Sequence, residues 1–372
     1  MSDASNEPNP LSNNADPSPT PSEVDLQVPQ NSDRSRLNDE APVVAELVTA
    51  GIAAAVVDGD KDAVLYGSAL QASSFSENDR RWWSPVVMVG ISLASFLTMS
   101  GIMAVVAVLA VRGNLSLEML KEPSDLESAM GEVLSSRLGL FLSLVIPQLA
   151  LVLPCLIAAW LSPVSFRERL GLVGGKWPIW SWLAVGAASP LVGILSGLFL
   201  SLFVEESETL KEMNHVFREH GTTGFFIPLA LMIGATPAFC EELLFRGYIQ
   251  QRLTRSFRPD RGIFIASFLF AAFHIDLVHV LAVFPLGLFL GWVTWRSGSL
   301  FPAMIGHFVN NFVSVIGIVV APQENQDTLG LPAAALSLSV FFFGLIGAAL
   351  IGLVAYRQRA TPLDSMSSET IV

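Results

Sequence analysis

From residue 85 to residue 356 the chain alternates long uncharged apolar runs with short charged connectors. A helix rises 1.5 Å per residue, so crossing a hydrocarbon layer about 30 Å thick takes roughly 20 mostly apolar residues. The runs 85–111, 138–161, 177–204, 222–250, 300–321 and 331–356 meet that length, and Gln148 is the one strongly polar side chain in the second of them. The runs 262–275 and 280–295 are shorter, which suits tilted or partly re-entrant helices. The pattern predicts an all-α polytopic membrane protein with about eight transmembrane helices, spread over 81–360. Residues 1–80 are polar and acidic, rich in Pro, Ser, Asn and Asp. They are expected to form a mostly disordered cytoplasmic tail, because they cannot bury enough apolar surface to order the chain. The apolar stretch 41–57 inside that tail is short and contains Glu46, so it is not expected to cross a membrane. Residues 361–372 are expected to be a short C-terminal tail.

Composition agrees. The 372 residues are 52% hydrophobic and 15% charged, whereas a soluble domain carries about 25% charged residues. The net charge is −12 and no basic stripe is interleaved with aromatics, which speaks against a nucleic-acid partner. The two cysteines, Cys155 and Cys240, both lie in apolar runs and offer neither a disulfide framework nor a CxxC metal site. The first 40 residues hold no apolar core, so no signal peptide is expected.

Charge placement orients the helices. With the N-terminus inside, twelve Lys and Arg flank the inner ends of the eight helices and five flank the outer ends. Arg252, Arg255, Arg258 and Arg261 crowd one inner connector, while Glu205, Glu206, Glu208, Glu212 and Glu219 crowd one outer connector. The positive-inside rule then predicts a multi-pass protein of a bacterial inner (plasma) membrane with both termini cytoplasmic.

Ionisable groups inside membrane spans are costly and usually functional. Here they are Glu241, Glu242 and Arg246 in "AFCEELLFRG", His274 and His307, with Asn311 as a polar amide. Glu242 and Arg246 are four apart and share a helix face, so each lets the other stay ionised. Glu241 points about 100° away and is left free for chemistry. His307 and Asn311 are also four apart. At 1.5 Å per residue, Glu241 lies roughly 16 Å from Arg252, and His274 roughly 18 Å from Gly262. His307 lies roughly 10 Å from Leu300. Three helices can therefore present polar groups at similar depth. A carboxylate beside a histidine can deprotonate a water, and a second histidine with an amide can stabilise an oxyanion. The same Glu and two His can instead ligate zinc with a water in the open position. No HExxH helix, no pair of intramembrane aspartates and no GxSxG elbow within a span occurs.

Glu241-Glu242-x-x-x-Arg246, Phe270-x-x-x-His274 and His307-x-x-x-Asn311 stand in this order. Together they resemble the signature of the CAAX-protease and bacteriocin-processing family of intramembrane proteases, also called the Abi or type II CAAX prenyl endopeptidase family. "FRERLGL" at 166–172 is similar to that family's connector ahead of its core. The resemblance covers about 160–320, reaches the other helices loosely and does not cover 1–80. It implies a bundle of about eight helices with a catalytic core over 222–321 and a conical cavity open to the cytosolic side. It further implies Glu241 as general base assisted by His274, His307 and Asn311 as oxyanion stabilisers, and Glu242 with Arg246 as structural support. Zinc held by Glu241, His274 and His307 stays open, and the implied partner is a membrane-associated or prenylated protein or peptide substrate in the bilayer. Two other classes would use the same side chains. One is a non-catalytic membrane immunity or scaffold protein of the same fold, and the other is a proton-coupled transporter. The lack of an obvious internal repeat counts against many transporter folds.

Overall fold

The computed structural model describes residues 83–116, 121–321 and 330–358. The expected tails at 1–80 and 361–372, and the apolar stretch at 41–57, lie outside the described residues. Among the described residues there is no strand.

The helices are α1 (Ser84–Arg112), α2 (Pro123–Ser135), α3 (Arg137–Trp160), the single turn α4 (Phe166–Arg169), α5 (Trp180–Ser201) and α6 (Glu208–His220). Then come α7 (Phe226–Glu241), its π-helical continuation Glu242–Gln250, and the short α8 (Gln251–Ser256). The chain closes with α9 (Pro259–Ala272), α10 (Leu277–Ser297), α11 (Phe301–Val320) and α12 (Leu331–Arg357). Each of the eight predicted runs is a helix. Seven helices among the described residues are long and apolar enough to cross a membrane. The eighth, α9, has 14 residues and is about 21 Å long, short of the hydrocarbon thickness. It stops at a turn in which Ile275 takes φ +64°, a left-handed conformation unfavourable for a β-branched side chain. The Asp276 carboxylate then caps α10 by accepting from the His279 N–H at 2.9 Å.

Two helices in the connectors escape the span pattern. α2 and α6 are amphipathic, and α6 is started by Ser207, whose Oγ accepts from the Leu210 N–H. α6 meets α7 at a kink where Thr223 and Gly224 leave helical geometry, Gly224 at φ +79°. Arg137 donates to the freed Thr223 carbonyl at 3.1 Å.

Helix–helix contact in a membrane depends on small residues that let backbones approach. On α10, Gly287 and Gly291 lie one turn apart against α9 and the π-helical segment. A Cβ on Gly291 would stand 2.7 Å from Gln250 Oε1 and 3.0 Å from Ile263 Cγ2. The α4 connector docks in the same manner: the Leu300 N–H donates to the Gly171 carbonyl at 2.9 Å. Leu151, Leu170, Leu243, Leu244, Phe245, Ile249, Leu253 and Leu300 form one tightly buried cluster. It fills the bundle between Glu241 and the basic connector that begins near Arg252.

Gly291→Leu is expected to lower stability in detergent by about 1–3 kcal/mol, the usual cost of overpacking. Gly101→Ala, where a Cβ meets nothing within 4 Å, should stay within about 0.5 kcal/mol of wild type. Thermal unfolding of the purified protein reads both.

Candidate active site

All nine residues of Glu242–Gln250 are buried. Glu242 and Arg246 are 0% and 1% exposed, and neither charge could persist there alone. Arg246 Nη1 donates to Glu242 Oε1 at 2.7 Å, the pairing that the four-residue spacing predicts. The same Glu242 oxygen accepts from His307 Nδ1 at 2.8 Å. Arg246 also donates from Nη2 to the Gly287 carbonyl on α10 at 3.2 Å. Its guanidinium lies 4.1 Å from the centre of the Phe270 ring on α9, a cation–π contact. One buried ion pair thus ties α7, α9, α10 and α11 together.

Glu241, on the last turn of α7, is held differently. Its Oε1 accepts from Gln148 Nε2 of α3 at 3.0 Å. Its Oε2 has no hydrogen-bond partner among the described residues and lies 3.9 Å from His307 Nε2. An ionised carboxylate only accepts, so His307 Nδ1 carries the hydrogen toward Glu242 and its Nε2 is turned to Glu241. His274 follows the same logic. Its Nδ1 donates to the Phe270 carbonyl at 3.1 Å, which leaves Nε2 for other partners. The His279 ring lies 4.6 Å from the His274 ring, centre to centre. Asn311 Nδ2 donates to the Ile233 carbonyl at 3.2 Å, and its Oδ1 accepts from Asn310 Nδ2 at 3.1 Å.

Glu241, His274, His307 and Asn311 all line one cavity of about 740 Å³. Glu242 and Arg246 do not line it. Its deep part is lined by Glu241, Phe270, Leu286 and His307. From there the walls run along α6 through Phe217, Asn214 and Leu210, and along α11 and α12 through Gly317, Ala321, Ala333 and Ser337. The α6 positions follow the acidic connector that begins at Glu205, and the α11 and α12 positions lie at the end of α11 and the start of α12. The buried leucine and phenylalanine cluster lies on the other side of Glu241, toward Arg252.

The walls also reach beyond the core expected over 222–321, taking in Gln148, residues of α5 and residues of α12. Gln148 escaped functional reading; its signal was being the lone strongly polar side chain of an apolar run. His279 and Asn310 also line the cavity.

The zinc expectation meets a geometric obstacle. No group of three His, Cys, Asp or Glu side chains among the described residues converges at metal-holding spacing. Ligands sharing a tetrahedral zinc at about 2.0 Å stand about 3.3 Å apart, and Glu241 Oε2 and His307 Nε2 are 3.9 Å apart. As arranged, Glu241, His274 and His307 do not fit a resident metal ion, and no step below is routed through one.

Comparison with known proteins supplies a class. Residues 223–313 match the family model described as type II CAAX prenyl endopeptidase Rce1-like. The matched stretch holds Glu241, Glu242, Arg246, His274, His307 and Asn311 and leaves out Gln148. The resemblance read from the three motifs is borne out over that stretch, and the chain is a multi-pass membrane protein carrying a CAAX-protease-like segment. No curated protein and no solved structure matches the chain.

Arg246→Ala should destabilise the protein by about 3–5 kcal/mol, because it leaves the buried Glu242 charge without its arginine and held by His307 alone. Replacing both partners with apolar residues of similar size should cost clearly less than the two single changes added together. Unfolding midpoints of the four proteins of the cycle measure this, and strict additivity would contradict the pairing.

Proposed function

We propose that this protein is an intramembrane endopeptidase in which Glu241 activates a water for direct attack on a peptide bond. The observation that carries the reading is the different setting of two neighbouring carboxylates. Each has one oxygen engaged and one without a hydrogen-bond partner among the described residues, but Glu242 is sealed off from the cavity, whereas Glu241 lines it with its unpartnered oxygen beside a histidine nitrogen. A gap of 3.9 Å suits one water hydrogen-bonded to both groups at about 2.8 Å.

Glu241 takes a proton from that water as general base, and His274, on the same cavity, assists the transfer to the leaving amine. His307 Nε2 and the Asn311 amide polarise the scissile carbonyl and hold its developing oxyanion. Because Nδ1 of His307 is committed to Glu242, His307 donates from Nε2 only as imidazolium, with Glu242 and Glu241 as counter-charges. Gln148 fixes the Glu241 carboxylate by holding Oε1. Substrates are membrane-associated or prenylated polypeptides, the class named in the matched family's description.

Glu241→Gln keeps the shape and removes the base, so cleavage should fall at least about 100-fold with insertion and thermal stability preserved. New protein N-termini, counted by mass spectrometry in membranes holding either form, give the measure. A Glu241→Gln protein that cuts at the wild-type rate would sink the reading.

A further inference from the structure

A second pocket lies where the connector between α4 and α5 meets the ends of α10 and α12. Its volume is about 370 Å³ and it is lined by Lys176, Trp295, Arg296 and Gln358, none of which lines the cavity that holds Glu241. Hydrogen bonds fix its frame. The Lys176 N–H donates to the Ser297 carbonyl at 2.6 Å. Gln358 spends both ends of its side chain on the connector: Oε1 accepts from Trp177 Nε1 at 3.0 Å, and Nε2 donates to the Lys176 carbonyl at 3.2 Å. Gly175, at φ +72°, lets the connector press in, because a Cβ there would collide with the Ser297 carbonyl and stand 2.7 Å from Ser299 Cβ. The backbone of Lys176 is thereby clamped between α10 and α12, while the residue stays exposed.

The pocket carries two cations. Among the described residues no carboxylate lines it, and neither Lys176 nor Arg296 has a carboxylate partner. Arg296 gives Nη2 to the Ala355 carbonyl at 3.0 Å, and its Nε is buried with no hydrogen-bond partner among the described residues. A buried donor without an acceptor is costly. An anion brought between the two cations would accept from it and relieve their mutual repulsion. The level of the pocket says what kind of anion. α10 and α12 are both long and apolar enough to cross a membrane, and Trp180, Trp295 and Tyr356 are exposed at this same end. Exposed Trp and Tyr gather at the depth of lipid headgroups, and basic pockets between helix ends take anionic ones. Further along α12, Leu350 and Leu353 are exposed, a surface against which acyl chains can lie. We infer that this pocket holds the phosphate of an anionic phospholipid, with Lys176 and Arg296 on its oxygens and Trp295 at its rim. The site does not rest on the proteolytic reading.

The test measures lipid retention by the purified full-length protein in native mass spectrometry. The probes are phosphatidylglycerol and phosphatidylcholine with the same acyl chains. Wild type should hold one phosphatidylglycerol at least about fivefold more tightly than phosphatidylcholine, the scale expected for one well-placed cation at a membrane surface. Lys176→Glu, a change at an exposed residue, should remove that preference without moving the thermal unfolding midpoint in detergent. Arg296→Gln should weaken it as well, but it also loses the bond to Ala355, so Lys176→Glu is the variant that separates headgroup binding from packing. Arg258→Gln, which removes an exposed cation outside the pocket, should leave the preference intact, and its loss there would reduce the effect to bulk charge and overturn the site. Equal retention of the two lipids, or a preference that survives Lys176→Glu, also overturns the inference. Inorganic phosphate at the same concentration as the lipid should not displace phosphatidylglycerol. If it does, the occupant is a soluble phosphate and the lipid assignment fails.

Discussion

A single carboxylate, that of Glu242, sets the geometry on which everything else rests. It lies wholly out of water, where an isolated charge would be untenable. It is neutralised by Arg246 one turn away and engaged by His307 from another helix. Arg246 in turn reaches a backbone carbonyl of α10 and the face of Phe270 on α9. Four helices are thereby indexed against one point. The orientation of the His307 ring follows, since its Nδ1 has one partner and its Nε2 must point away, toward Glu241. The place of His274 follows as well, because its Nδ1 is tied to the carbonyl of Phe270, the residue that carries the cation–π contact.

The two adjacent glutamates divide structure from chemistry. Each is held by one oxygen and leaves its second without a hydrogen-bond partner among the described residues, but Glu242 is sealed away from the cavity that Glu241 lines. Below Glu241 the bundle is packed with branched and aromatic side chains. Above it the helices enclose the cavity beside a second buried cluster that includes Leu140, Phe217, Leu229, Met232 and Val315, with the amphipathic α6 as an added wall.

Much of this was legible in the sequence, for reasons that can be named. Membrane spans are set by length and hydropathy, so all eight apolar runs became helices with ends shifted by only a few residues. The Glu242–Arg246 pair followed from helical spacing, and the similar depth of Glu241, His274 and His307 from counting along their helices; that they line one cavity did not follow from spacing alone. What was not legible depends on packing between distant segments. The wide π-helical turn after Glu241 and the left-handed Ile275 that ends α9 early have no clear local code. The amphipathic α6 was hidden by its charges, which read as a solvated connector. Gln148 stood out as polar but not as the partner of Glu241, 93 positions away.

The central claim is that Glu241 and His307 hold one water against a scissile bond at the cavity floor. It is tested most directly by an experimental structure of the Glu241→Gln protein with a peptide trapped in it. The account predicts a scissile carbonyl between residue 241 and His307 Nε2, with the peptide chain leaving past Asn214 and Ser337. A peptide bound elsewhere, or residue 241 and His307 turned toward lipid on separate helix faces, would contradict it.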